Sequence, residues 1–161
     1  MSHVRLLVLL ALCSCASEVA GQGSGAAAEE AAGYTTDGDV PGVTILNSPR
    51  TAHTTEDVEY PESPPYGGDH DPAWADCTGT VYPEPIRSEN AVHSLEHGAV
   101  WVLDTAVSVQ SWARQLKVDT ADDPRLAAFL RIYRMNPDIT PEPGATCSNP
   151  EFASSPRGPD S

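Results

Sequence analysis

The residues from Ser88 to Leu103, SENAVHSLEHGAVWVL, decide how the chain folds. Ser88 to His97 are predicted to form a helix with Ser88 as its N-cap, and Gly98 is predicted to end it because glycine readily adopts the backbone conformation of a C-terminal cap. Ala99 to Leu103 (AVWVL) are uninterrupted by polar or turn-forming residues, which indicates a buried strand. The stretch therefore predicts a helix that leads directly into a sheet.

The residues after this strand predict two further strands and a second helix. Val107 to Trp112 alternate as a strand, and Gln115 to Val118 are its predicted partner. Asp122-Asp123-Pro124 opens the helix, because an aspartate cap and a proline at the first helical position both favour a helix start. The residues of this helix that are predicted to face the core are Leu126, Phe129, Leu130 and Tyr133. The tail after Thr140 is rich in Pro, Gly and Ser and is predicted to be irregular.

The first half of the folded region is dense in turn-forming residues. Prolines and glycines recur too often between Pro41 and Pro85 for a long helix, so we expect loops with short strands at Val43 to Leu46 and Asp57 to Tyr60. Together these patterns predict a small α+β domain over residues 34–161, with a Pro/Gly-rich N-terminal half, short strands and two or three helices.

The first 33 residues predict export. A positively charged start is followed by eight apolar residues from Leu6 to Cys13, which is typical of a secretory signal and too short for a membrane span of about 20 residues. Leu12-Cys13-Ser14-Cys15 resembles a lipobox, so Cys15 is the predicted lipidated N-terminus after removal of the signal peptide; cleavage after Ser17 is the alternative. Residues 16–33 are predicted to be a flexible tether. We expect an extracytoplasmic protein, either lipid-anchored in the cell membrane or secreted.

The formal net charge of the chain is −14. So acidic a protein is repelled by nucleic acid and by anionic lipid head groups, and the sequence has no run of Lys and Arg to offset this. We therefore expect no nucleic-acid binding, and contact with the membrane only through the lipid anchor. An acidic, well-solvated surface is a sufficient explanation of the charge. The sequence identifies no protein partner.

Cys77 and Cys147 are the two cysteines outside the signal region. A pair in an oxidising compartment favours a disulfide, which would close a long loop and contribute about 4 kcal/mol in the chain-entropy model. Ligation of a metal by the two thiolates is the alternative, and it is disfavoured because exposed thiols outside the cell tend to oxidise.

Four histidines are concentrated between positions 53 and 97: His53, His70, His93 and His97. His93 and His97 are four residues apart on the predicted helix, so their imidazoles project from one face and suit two ligands of one metal ion. His70 lies in the stiff loop Pro64 to Pro72 (PPYGGDHDP). A site rich in imidazole favours Zn(II) or Cu(II). We predict a transition-metal ion bound by His70, His93 and His97, with His53 as a possible fourth ligand.

The segment from His93 to His97 also matches H-x-x-E-H, in which two histidines hold zinc and the glutamate activates water. Gly98 ends the helix directly after the second histidine, and no downstream acidic helix offers a third ligand, so Glu96 is better explained as a residue that orients an imidazole or forms an ion pair. Three functions stay open: metal binding, metal-dependent hydrolysis with Glu96 as general base, and a structural or partner-binding surface lipoprotein without metal.

Two motifs carry a family resemblance. PPYGGDHDPAWADC, from Pro64 to Cys77, and ENAVHSLEHGAVW, from Glu89 to Trp101, are similar to the bacterial domain-of-unknown-function 3105 family, which is common in exported and membrane-anchored actinobacterial proteins. The similarity covers Thr44 to Cys147 and implies no established activity. It implies that the family's conserved positions are occupied here by His53, His70, His93, Glu96, His97, Cys77 and Cys147.

The chain departs from this family in two places. Asp69 stands where proline is more usual, and a carboxylate there would raise the basicity of His70 or add an oxygen ligand. Family members continue from the strand at Trp101 into a helix and a strand before the stretch that resembles Ser108 to Val118, whereas only Asp104 to Val107 intervene here. We expect that roughly 30 residues are missing, either in a true minimal variant or through a deletion in the gene model.

Overall fold

The structure is a computed structural model that describes residues 34–103 and 107–158. The strands of these residues form one antiparallel sheet in the order β1-β2-β5-β4-β3. They are β1 (Tyr34–Thr36), β2 (Thr44–Leu46), β3 (Trp101–Leu103), β4 (Ser108–Ser111) and β5 (Arg114–Lys117). The helices of the same residues are α1 (Ser88–Glu96), α2 (Pro124–Tyr133) and α3 (Pro150–Ser154). The arrangement confirms the predicted small α+β fold.

Strands β4 and β5 form a hairpin inside the sheet, and their pairing confirms the predicted partnership of these two segments. Ser111 pairs with Arg114, so the turn contains only Trp112 and Ala113. The Ala113 N–H donates to the carbonyl oxygen of Tyr66 at 2.6 Å. The hairpin turn therefore fastens the proline-rich loop to the sheet.

Helix α2 packs against the sheet as its sequence predicts. The Asp123 carboxylate accepts a hydrogen bond from the Arg125 N–H at 2.9 Å and so caps the first turn. Phe129 and Tyr133 are buried, but Leu130 is 37% exposed, and the prediction that it faces the core is wrong. Leu130 follows Phe129 by about 100° around the helix axis, which places it at the border of the apolar stripe. The buried core of this half consists of Val40, Val43, Val109, Leu116, Val118, Phe129 and Tyr133.

Two strand predictions need correction. Strand β3 lies at the edge of the sheet and Val102 is 60% exposed, so the predicted burial of this strand is wrong. Residues Asp57 to Tyr60 do not form a strand. The Val58 N–H instead donates to the carboxylate of Glu89 at 2.8 Å. This side-chain hydrogen bond replaces the one that a neighbouring strand would have made with the Val58 N–H.

The two ends of α1 differ in how well the sequence predicts them. The N-cap is Arg87, without a side-chain capping bond, so the assignment of this role to Ser88 is wrong. Gly98 follows the helix with a φ of 92°, as a glycine stop requires. A Cβ atom at Gly98 would lie 3.0 Å from the Cα of Met135. Glycine is therefore required here both by its conformation and by this close approach.

Helix α3 lies in the tail that was predicted to be irregular. The side chain of Asn149 accepts a hydrogen bond from the Phe152 N–H at 3.2 Å, and Pro150 occupies the first helical position. A helix of five residues is too short to produce a periodic pattern, so only its cap and its proline signal it.

The predicted signal peptide, the lipidated Cys15 and the tether lie outside the described residues. Within residues 34–103 and 107–158, none of the helices has both the length and the apolar character needed to cross a bilayer.

Candidate metal centre

His53 and His70 are brought side by side by backbone pairing. They form an isolated parallel β-bridge, in which the Thr54 N–H donates to the His70 carbonyl at 2.8 Å and the His70 N–H donates to the Ala52 carbonyl at 3.0 Å. The two ring centroids are 4.9 Å apart. The His70 side chain is fully buried, whereas that of His53 is 45% exposed.

The Asp69 carboxylate holds this bridge together. It accepts hydrogen bonds from the Ala52 N–H at 3.1 Å and from Arg50 Nε at 3.2 Å. Among the described residues Asp69 belongs to neither group of side chains that can hold a metal ion. Its carboxylate therefore supports the bridge, and the oxygen ligand that the sequence suggested at this position is not part of either group.

Helix α1 adds a third histidine and a buried carboxylate. The ring centroid of His93 lies 4.8 Å from those of both His53 and His70. Glu96 Oε2 lies 2.9 Å from His70 Nε2 and 3.9 Å from His53 Nε2. These four residues, which we call the inner group, offer one ligand atom each within 4.8 Å of one another. A loop and a helix that are far apart in sequence thus form one cluster.

Hydrogen bonds fix which ring nitrogen each buried histidine presents. In all three cases Nδ1 faces a backbone carbonyl and must donate to it: His70 to Gly68 at 2.8 Å, His93 to Asp71 at 2.6 Å, and His97 to Thr146 at 2.9 Å. A neutral imidazole has one N–H and one lone pair, so the lone pair lies on Nε2. Metal-binding histidines have this arrangement, in which a carbonyl or carboxylate holds the second nitrogen.

The contact between Glu96 and His70 joins Oε2 of the carboxylate and Nε2 of the imidazole, and both atoms are hydrogen-bond acceptors when the imidazole is neutral. His70 Nε2 is buried and has no partner with hydrogen-bond geometry, although Glu96 Oε2 is within ion-pair distance. Burial opposes protonation of the ring, but the interactions with Glu96 and the Gly68 carbonyl, with the charge of Asp69, outweigh burial and raise the pKa of His70. The contact therefore favours a cation, which is either a proton on His70 or a metal ion.

His93 has the opposite protonation behaviour. Burial lowers its pKa to about 4, and the neighbouring imidazoles of His70, His97 and His53 lower it as well. The hydrogen bond to the Asp71 carbonyl raises the pKa, but by less than these effects lower it. His93 is consequently neutral at pH 7, and its Nε2 is available to a metal ion without loss of a proton.

His97 lies on the other side of His93, with the ring centroids 4.6 Å apart. Its Nε2 is 3.4 Å from Oε2 of Glu142, whose side chain is 48% exposed. His93, His97 and Glu142, which we call the outer group, form a second set of ligand atoms within 4.8 Å of one another. The trio of His70, His93 and His97 predicted from the sequence is thus divided between two groups that share His93.

Glu142 is the candidate ligand that the sequence analysis missed. It supplies, beside His93 and His97, the downstream acid that the H-x-x-E-H pattern needs. Its signal in the sequence is the stiff segment Pro141-Glu142-Pro143, which lies close to Cys147. Glu96 Oε2 lies 2.9 Å from His70 Nε2, so the glutamate of the pattern contacts a histidine outside it.

The outer group is fastened by a disulfide between Cys77 and Cys147. The Cys77 N–H also donates to the Cys147 carbonyl at 2.9 Å. Thr146, whose carbonyl accepts the hydrogen bond of His97, directly precedes Cys147. The cysteines therefore position the outer group, and as disulfide sulfurs they are not thiolate ligands.

A buried ion-pair network fixes the carbonyl that orients His93. The Asp71 carboxylate lies 2.8 Å from Arg87 and 3.2 Å from Arg157. Arg87 is also 3.3 Å from the buried carboxylate of Glu89. Because Asp71 is held at its side chain, its backbone carbonyl is held beside His93 Nδ1.

Two tryptophans pack against the histidine rings. Trp112 makes an edge contact with His70, with ring centroids 5.9 Å apart. Trp74 contacts both His93 and His97, at 5.7 and 4.9 Å. These contacts exclude water from the buried rings and strengthen electrostatic interactions there.

A family model described as a protein of unknown function, DUF3105, matches residues 52–104 and 102–149. The matched residues include every member of the inner and outer groups and both cysteines of the disulfide. The two matched segments overlap at residues 102–104, next to the connection from Asp104 to Val107 that the sequence analysis identifies as shortened. No curated protein and no solved structure matches the chain.

Proposed function

We propose that this chain, which belongs to the DUF3105 family, binds one transition-metal ion in the inner group. The observation that carries the proposal is the contact between His70 Nε2 and Glu96 Oε2, two buried acceptor atoms 2.9 Å apart. A divalent cation beside them would bind both lone pairs. The neutral His93 and the neighbouring His53 would complete its coordination.

The ligand set favours Zn(II) or Cu(II). Three imidazole nitrogens with one carboxylate oxygen provide borderline ligands, which suit these ions better than Mg(II) or Ca(II). The chain has two methionines and neither belongs to the inner group, so a thioether-bound Cu(I) ion is disfavoured.

We propose that the ion is bound outside the cytoplasm. The predicted signal sequence supports export, with Cys15 as the lipid anchor or with release into the medium. The disulfide between Cys77 and Cys147 is compatible with an oxidising compartment.

Metal analysis of untagged protein tests the proposal. After incubation with Zn²⁺ or Cu²⁺ and removal of free metal, the wild type should retain about one ion per chain, and Glu96→Gln should weaken binding by about 10- to 100-fold. Glu84→Gln, at an exposed position, is the matched control and should bind as the wild type does. Equal affinity in the wild type and Glu96→Gln would contradict the proposal.

The same variant separates a second candidate function. Glu142 beside His93 and His97 supplies three protein ligands, the number that leaves one position of a zinc site open for water, which favours a metal-dependent hydrolase with Glu96 as general base. In that case Glu96→Gln would retain the metal and lose turnover. A structural or partner-binding lipoprotein would bind no metal in either form.

A further inference from the structure

His93 belongs to both groups but has one nitrogen available to a metal ion. Its Nδ1 donates to the Asp71 carbonyl at 2.6 Å, so Nε2 carries the single free lone pair. A bridge between two ions would require Nδ1 to lose its proton and break this buried hydrogen bond. The inner and outer groups therefore cannot both use His93 at the same time.

The two groups differ in the number and exposure of their ligands. The inner group has four members, of which only His53 is exposed, and four protein ligands close a tetrahedral site. The outer group has three members, one of which is the exposed Glu142, and three protein ligands leave a position open. The inner group is thus suited to retaining an ion and the outer group to exchanging one.

The ring of His93 is adjacent to one histidine ring of each group. The His93 ring centroid lies 4.6 Å from that of His97 on one side and 4.8 Å from that of His70 on the other. An ion that stays on His93 would exchange His97 and Glu142 for His70 and Glu96. The disulfide holds the outer ligands in reach throughout.

We propose that the outer group is a transfer site, through which a single metal ion enters and leaves the inner group by way of His93. The open position of the outer group accepts water or a donor atom of the chelate that delivers or removes the ion. The inference rests on the proposed metal binding and adds to it a second site and a route of exchange.

Co²⁺ is a suitable probe, because its absorption spectrum reports the coordination number and the ligands. The wild type should bind one Co²⁺ per chain. In His53→Ala/Glu96→Gln, which removes two inner ligands, a weaker site with an altered spectrum should remain. Addition of Glu142→Gln to this double variant should abolish the residual site, whereas addition of the exposed control Glu84→Gln should leave it intact. Thermal unfolding of each variant shows that it is folded.

The rate of transfer provides the second measurement. Removal of Co²⁺ from the wild type by an excess of EDTA should be slowed at least about tenfold by Glu142→Gln alone, because the transfer site loses one of its three ligands. Two ions per wild-type chain, no residual site in the double variant, a residual site that survives Glu142→Gln, or an unchanged transfer rate would each overturn the inference. A wild type that binds no Co²⁺, Zn²⁺ or Cu²⁺ would instead overturn the proposed function itself.

Discussion

The molecule has two halves that are stabilised differently. The sheet half comprises the five strands with α2, and the site half comprises residues 47–100 and 134–158, which include α1 and α3. In the sheet half, valine, leucine and aromatic side chains form the buried core. In the site half, the buried residues include many polar and charged ones: His70, Asp71, Asp76, Arg87, Glu89, Asn90, His93, Glu96 and His97. The site half also has an apolar cluster, which includes Tyr66, Val92 and Leu95. It differs from the sheet half in the hydrogen bonds and ion pairs that its buried polar side chains add to this packing.

The difference shows what a cluster of histidines requires from its surroundings. Apolar packing stabilises a fold but is not directional, so it does not decide which nitrogen of an imidazole faces a neighbour. Hydrogen bonds to the carbonyls of Gly68, Asp71 and Thr146 do decide this. The site half therefore fixes the ligand atoms, while the sheet half supplies a rigid base.

The largest effect on stability is expected in the sheet half. Phe129 is fully buried, and Phe129→Ala should lower the free energy of unfolding by about 4 to 5 kcal/mol, because it leaves a cavity in the core. Leu130→Ala, its neighbour on the exposed side, should cost less than about 1 kcal/mol. Denaturant unfolding measures both. Metal affinity of the protein that remains folded should not change, and a loss of affinity would show that the two halves are coupled.

Removal of the disulfide should have the next largest effect. Cys77→Ser/Cys147→Ser opens a link across 70 residues and should lower the free energy of unfolding by about 4 kcal/mol in the chain-entropy model. Since Thr146 and Glu142 lose their anchor, transfer of Co²⁺ to EDTA should also slow. A double variant that is as stable and as fast as the wild type would show that the hydrogen bonds alone position the outer group.

Arg87→Met should destabilise the site half by about 3 kcal/mol, because it leaves the buried carboxylates of Asp71 and Glu89 without their main cation. It should also weaken metal binding, since Asp71 orients His93. Arg131→Met, the same substitution at an exposed position of α2, should change stability by less than about 0.5 kcal/mol. Denaturant unfolding and metal titration test both variants. If Arg87→Met and Arg131→Met had the same stability and the same metal affinity, the ion-pair network would have no structural role.

The smallest effect concerns pH. His93 has a pKa of about 4 when folded, below its ordinary value of 6.5, so the unfolded chain binds more protons between these values. Its contribution therefore lowers the stability of the metal-free protein as pH falls from 6.5 to 4. His70 acts oppositely: its raised pKa gives a contribution that is present below 6.5 and lost as pH rises through the raised value.

His93→Gln should accordingly lose less stability on acidification than the wild type, and His70→Gln should lose more. Urea unfolding of the metal-free proteins at pH 7 and pH 4.5 measures the difference. Identical pH dependence in the wild type and His93→Gln would contradict the assignment of a neutral, buried imidazole.

The sequence predicts where the helices and strands lie better than it predicts which of their side chains are buried. The β4–β5 hairpin and α2 follow from alternation, an aspartate cap and an N-terminal proline, which are local signals. The exposure of Val102 does not follow, because it depends on β3 being an edge strand, and an apolar run reads the same at an edge and at the centre of a sheet.

The sequence points to the four histidines and Glu96 of the candidate site, but not to Glu142 or to the division into two groups. Helical spacing places His93 and His97 on one face of α1. In the structure His93 lies next to His70, whereas His97 lies next to Glu142. The bridge that pairs His53 with His70 and the bond that holds His97 beside Thr146 are long-range contacts, which carry no periodic signal. Glu142 lies beside His97 because its backbone N–H donates to the Glu96 carbonyl at 3.3 Å, a contact between segments far apart in the sequence.

Isothermal titration of untagged, metal-free protein with Zn²⁺ and with Cu²⁺, in the wild type and in His93→Ala, tests the central claim most directly. The wild type should bind about one ion per chain with at least one of the two metals. Because His93 belongs to both groups, its removal should weaken binding more than Glu96→Gln does. A wild type that binds neither metal, or a His93→Ala variant that binds as the wild type does, would contradict the account.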